Sequence, residues 1–165
     1  MKNINKDVMF SSKDMTYETP QWLFDKLDLV FHFTLDVCAV QETAKCDTYF
    51  TPEIDGLKQN WKGSCWMNPP YGREVGIWLK KAYNESVKNN STIVCLIPAR
   101  VDTKYQHEIV FKYAKAICFI KGRLKFGHST NSAPFPSQII IFGRSVNNKQ
   151  FNTLNEIGFT IKINN

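Results

Sequence analysis

The chain has 165 residues, 43% hydrophobic and 13% aromatic, which is enough apolar side chain for one folded core and excludes a disordered segment. Its net charge of +6 is uneven: residues 1–90 carry 11 Lys and Arg against 12 Asp and Glu, and residues 91–165 carry 10 against 3, a net −1 followed by a net +7. That asymmetry suits an anionic partner for the C-terminal half, nucleic acid first, with excess lysine as a plain solubility device the alternative.

The first fifteen residues, MKNINKDVMFSSKDM, lack the apolar core of a secretory signal, and no apolar run reaches the roughly 18 residues of a membrane span. The five cysteines (38, 46, 65, 95 and 118) form no C-x-x-C pair. Cys65, Cys95 and Cys118 sit in apolar runs and read as buried thiols of a reducing cytoplasm rather than disulfides or zinc ligands. Thr19-Pro20 predicts a helix start, Thr as cap and Pro as first residue, with Trp22, Leu23, Leu27 and Val30 following at helical spacing. Strand-like runs follow at 33–38, 65–68, 92–98, 116–122, 138–143 and 159–163, with helical spacing at 74–89, 103–114 and 147–157. The helical aromatics Trp22, Trp78 and Tyr83 read as core. Strands alternating with helices predict an α/β fold, a mainly parallel twisted sheet flanked by helices, in a single domain over residues 1–165. Two long irregular stretches, 40–63 and 122–137, interrupt this rhythm, and loops of that length in a compact domain are usually functional or mobile.

The motif that carries chemistry is Asn68-Pro69-Pro70-Tyr71. Proline cannot donate to a sheet ladder, so the strand must stop at Asn68. The helical pattern that follows puts the corner at a strand-to-helix tip, where open α/β sheets bind ligands. The Asn68 amide oxygen and the Pro69 carbonyl are two acceptors suited to a planar –NH2 group, and Tyr71 supplies a flat face for a heterocycle. Accepting both N–H bonds favours charge growing on that nitrogen as it attacks an electrophile, a stabilisation specific to the transition state. Phosphate-binding glycine loops and a nucleophile elbow are both missing.

The corner resembles motif IV of amino-group methyltransferases that use S-adenosylmethionine. With it come, in order, ETPQWLFDKLD, FTLDVCA, AKCDTYFTPEIDGLKQNW, IPARVDT and KGRLKFG. This ordered set is similar to the short Dam-like DNA N6-adenine methyltransferases of phages and prophages, and it spans about Met15 to Phe142. The resemblance implies a Rossmann-like fold, S-adenosylmethionine as cofactor, double-stranded DNA as partner and methyl transfer to adenine N6. GATC is a recognition word of relatives, although no residue here spells it. It assigns Asn68, Pro69, Pro70 and Tyr71 to the target amine, and Thr19, Pro20, Asp36, Cys38, Ala39, Asp55 and Leu57 to the cofactor. Asp36 as a turn cap and Asp55-Gly56 as an ordinary turn are the plain alternatives. Residues 36–39 also lack the glycine-rich turn of the wider superfamily.

Lys121, Arg123 and Lys125 interleaved with Phe126 suit phosphate contact plus base stacking or wedging, against the alternative of a solvated hairpin. Arg100 joins them as a DNA contact after the strand at 92–98, beside Asp102, to which no role is given. Two rival functions stand beside this one: a protein-glutamine N5 methyltransferase, whose substrate also presents –NH2, and a non-catalytic DNA-binding relative.

Overall fold

The computed structural model describes residues 17–163. Its sheet has six strands: β1 (Leu35–Asp36), β2 (Ser64–Met67), β3 (Thr92–Pro98), β4 (Ala116–Ile120), β5 (Ser137–Phe142) and β6 (Gly158–Lys162), in the order β1-β2-β3-β5-β4-β6. Helices α1 (Gln21–Phe31), α2 (Val75–Asn89), the one-turn α3 (Phe111–Tyr113) and α4 (Asn148–Ile157) flank it. A π-helical stretch, Gln106–Val110, leads into α3.

The sheet is mixed, which corrects the mainly parallel arrangement expected from the sequence. Only the neighbouring pairs β1–β2 and β2–β3 are parallel, and β5 runs antiparallel to both β3 and β4, as β6 does to β4. The reason is that β5 is joined to β4 by a loop without a crossover helix, so it returns beside β4 and wedges between β4 and β3. Two reversals cancel, and β4 therefore points the same way as β1–β3. The loops after β1, β2, β3 and β4 all leave from one edge of the sheet.

Alternation along the strands sorts the core onto two faces. Trp66, Val94, Leu96 and Ile139 pack with Leu23, Leu27 and Phe24 of α1 and Leu154 of α4. Cys65, Met67, Ile93 and Cys95 face the other way, with Trp78, Leu79 and Ala82 of α2. Cys65, Cys95 and Cys118 are buried free thiols, and burial pushes the first up to about 12 and the other two upward.

Two local expectations are corrected. Thr19 does not cap α1: Pro20 holds the cap position with no side-chain bond, its carbonyl receiving the N–H groups of Leu23 and Phe24. Trp22 is 55% exposed rather than core, because Leu23, Phe24 and Leu27 already fill the inward stripe. Trp78 is buried, and Tyr83 stacks on Tyr113 at 4.2 Å on the rim of the second face.

The edge where the loops converge is held from below. Gly56 lies so close to β1 that a Cβ there would stand 2.2 Å from the Val37 carbonyl oxygen, and the Gly56 carbonyl accepts the Trp61 indole N–H at 2.8 Å. After β3, the buried amides of Gln106 and Gln138 bond each other, and Gln138 also donates to the Pro98 carbonyl (3.3 Å). This pair ties the π-helical stretch to the end of β3.

Candidate active site

At this edge a cleft of about 720 Å³ is lined by the segment 17–19, the end of β1 with its following loop, and the corner 68–71. Buried Trp66 lies at its base, wedged edge-on against Phe24.

β2 ends at Met67, so Asn68 is the first residue past the ladder. Its Nδ2 donates to the Tyr17 carbonyl at 2.8 Å and to the Thr19 hydroxyl at 3.0 Å. A carbonyl can only accept, so the contact with Tyr17 fixes which end of the amide is nitrogen. Oδ1 then points the other way, buried, and finds no hydrogen-bond partner among the described residues. Leaving such an acceptor unpaired costs about 1–3 kcal/mol. The amide is oriented by two bonds, in a residue that lines the cleft.

Tyr71 stands beside it. Its ring meets Tyr17 at 5.2 Å and packs edge-on against Phe126 (6.0 Å) and Phe135 (5.6 Å). Burial raises its hydroxyl well above the usual phenol value, and among the described residues that hydroxyl makes only a long bond, 3.5 Å to the Leu96 carbonyl. Packing, not the hydroxyl, therefore positions the ring.

Asp36 closes β1 with its side chain 3% exposed at the residue level. Its carboxylate accepts the Cys38 N–H at 3.3 Å and the Lys45 N–H at 3.1 Å, so it does cap the turn that shapes the cleft wall. Desolvation outweighs those bonds and raises its pKa to about 7. A carboxyl held half-neutral at a cleft is a ready partner for a cation. Lys45 meanwhile reaches the carboxylate of Glu18 (3.0 Å) and the Gln21 amide oxygen (2.9 Å), pinning the loop after β1 to the start of α1.

Thr19, Asp36, Cys38, Ala39, Asn68, Pro69, Pro70 and Tyr71 all line this cleft. Pro20 instead starts α1 behind Thr19. Asp55 and Leu57 are not brought to it. Asp55 adopts a left-handed turn with its carboxylate 2.9 Å from Lys58, and Leu57 packs on the α2 side of the sheet.

Arg100, Lys121, Arg123 and Lys125 are exposed on the loops leaving the same edge. Phe126 is 3% exposed, which corrects its expected role as a base wedge: it backs Tyr17 and Tyr71 from inside. Tyr17, Glu18, Thr43 and Lys45 belong to the site and were missed by sequence reasoning. Tyr17 alone had a signal, an aromatic two residues before Thr19-Pro20.

An α/β sheet whose strand ends enclose an acceptor-bearing proline corner and a buried carboxylate belongs to the class of small-ligand α/β enzymes. The particular family follows from comparison with known proteins. The family model for DNA N-6-adenine-methyltransferase (Dam) matches residues 6–156, and the chain belongs to that family. The DNA N-6-adenine-methyltransferase of Haemophilus phage HP1 (strain HP1c1) is 33% identical over 141 residues, 80% of each chain. That of Escherichia phage T1 is 35% identical over 75 residues, 44% of this chain and 31% of its own.

Proposed function

We propose that this chain methylates the N6 amine of adenine in double-stranded DNA, acting as one catalytic unit on an adenine turned out of the duplex. The observation that carries the proposal is the buried, unpartnered Oδ1 of Asn68, oriented by Tyr17 and Thr19 at the rim of the cleft. An extruded base is needed because N6 is otherwise engaged in pairing.

S-adenosylmethionine, when bound, supplies a methyl group on a positively charged sulfur. The residues present fit it: the Asp36 carboxyl is buried and shares the cleft with Thr19, Cys38 and Ala39, and the nearby Lys45 ammonium is held by Glu18 and Gln21. Asp36 would hold the positive methionine end, and Asp55, Gly56 and Leu57 would support the β1 turn from below rather than touch the ligand. Asn68 Oδ1 and the Pro69 carbonyl accept the two N–H bonds of the target amine. They draw its lone pair out of the ring and toward the methyl carbon. Held this way, the amine would take the methyl group that the cofactor supplies, and its surplus proton would pass to solvent. Tyr71, fixed by its three aromatic neighbours, offers its face to the adenine. Lys121, Arg123, Lys125 and Arg100 meet phosphates.

Transfer of a tritiated methyl group to DNA, RNA and protein in parallel tests this reading, with GATC-containing duplexes as the first DNA. Label in DNA alone is expected. Label confined to protein would favour the glutamine alternative, and no label at all a non-catalytic relative.

A further inference from the structure

Beside the main cleft runs a second groove, which shares Tyr17, Glu18 and Thr43 with it and is closed on the far side by residues 126–134. We propose that the loop 127–134 is the base-reading element of this enzyme, with Asn131 and His128 contacting the base edge of a nucleotide flanking the displaced adenine. This inference rests on the reading of the main cleft as the adenine site.

Three observations support it. First, the two limbs of the loop between β4 and β5 differ in chemistry. On the first limb Arg123 and Lys125 are exposed while Leu124 and Phe126 are buried between them, so the cations face outward, as phosphate contacts must. The second limb, Gly127 to Pro134, has no carboxylate, lysine or arginine, and exposes His128, Ser129, Thr130, Asn131 and Ser132. These are hydrogen-bonding groups suited to base edges, and Asn pairs bidentately with adenine N6 and N7.

Second, the opposite wall carries Glu42 and Glu18, the latter with one carboxylate oxygen already held by Lys45 at 3.0 Å. Carboxylates oppose a phosphate but accept from the exocyclic amines of adenine or cytosine. The occupant that fits is a base, with the backbone outside on the cationic limb.

Third, the reading limb is built and tied to the chemistry. The Ser129 hydroxyl accepts the Asn131 N–H and donates to its carbonyl, both at 3.2 Å, so Asn131 spends its backbone on the turn and keeps its side chain exposed. Ala133 N–H bonds the Leu124 carbonyl, and Gly127 N–H bonds the Glu18 carbonyl, both at 2.8 Å. Glu18 sits between Tyr17 and Thr19, the two residues that orient Asn68. A base seated correctly against this loop therefore steadies the segment 17–19 that aims the catalytic acceptor, which links recognition to turnover.

The test is methylation of a duplex pool with randomised positions around a central adenine, read by methylation-sensitive sequencing, for wild type, Asn131→Ala, His128→Ala and Lys125→Ala. Both loop side chains are exposed, so folding is not at risk, and S-adenosylmethionine affinity serves as the check. The expected result is discrimination at one flanking position lowered about ten- to a hundredfold in Asn131→Ala or His128→Ala, the range of one lost base contact. Lys125→Ala should lower methylation of all sequences alike. A wild type that methylates a defined word, with both loop variants keeping that word undiminished, overturns the assignment of the loop alone. A wild type that methylates no DNA overturns the underlying reading as well.

Discussion

Replacing Asn68 with Ala removes one acceptor from the transition state and two donors from the ground-state structure. The first loss should resemble removal of a single oxyanion-type hydrogen bond, about 3–4 kcal/mol of barrier, or a 100- to 1000-fold drop in the methyl-transfer step. The second leaves the Tyr17 carbonyl and the Thr19 hydroxyl without their 2.8 and 3.0 Å partner, lowering stability by about 1–3 kcal/mol. Asn68→Asp is the sharper probe. Judged by its acceptor oxygen alone, Asp should retain more activity than Ala. The structure reverses that expectation, because a carboxylate oxygen would then face the Tyr17 carbonyl at a hydrogen-bonding distance with no proton between them. Single-turnover transfer from tritiated S-adenosylmethionine separates chemistry from binding, and calorimetric titration of the cofactor should show both variants within a few-fold of wild type. An Asp variant clearly more active than Ala at neutral pH would refute the claim that Tyr17 orients this amide. An Ala variant of unchanged single-turnover rate would remove Asn68 from catalysis.

Tyr71→Phe should retain most activity because only a 3.5 Å bond to Leu96 is lost, whereas Tyr71→Ala should lose about 1–3 kcal/mol of stacking; equal damage in steady-state assays would show that the hydroxyl acts. Asp36 has a carboxyl raised from 3.8 to about 7, so it is mostly protonated at pH 6 and a cationic ligand must expel that proton. S-adenosylmethionine should therefore bind more tightly as pH rises from 6 to about 7.5, and Asp36→Asn should bind weakly with a flat profile; a flat wild-type profile by calorimetry removes Asp36 from the cofactor site. Converting Lys121, Arg123 and Lys125 together to Ala should lower the slope of log affinity for DNA against log salt by roughly 3, at about 0.9 per phosphate contact, without altering cofactor affinity; an unchanged slope moves the DNA elsewhere.

Features set by neighbouring residues were legible in the sequence, and those set by distant partners were not. The six strand runs and the stop after Met67 follow from apolar runs and proline chemistry, and each reappears in the sheet, although the run at 33–38 shrinks to Leu35–Asp36. The direction of β5 did not show, because a strand buried on both faces reads the same in a parallel or an antiparallel setting. Thr19 was misread as a cap because its true partner, Asn68, lies 49 residues away. Phe126 carried a signal that was passed over. Leu124 and Phe126 alternate with Arg123 and Lys125, the period-2 pattern of a segment with one buried side. The Lys45–Glu18 pair and the unpartnered oxygen of Asn68 depend on loop packing that no local pattern encodes.

The central claim, that the corner directs a methyl group to adenine N6, is tested most directly by mass spectrometry of the nucleosides. Duplex DNA would be incubated with S-adenosylmethionine and either wild-type or Asn68→Ala protein, then digested completely. N6-methyladenine as the new nucleoside with wild type, and a level reduced at least 100-fold at equal early times with the variant, is what the geometry predicts. Methyl groups on cytosine or on protein, or N6-methyladenine formed equally by both proteins, would contradict it.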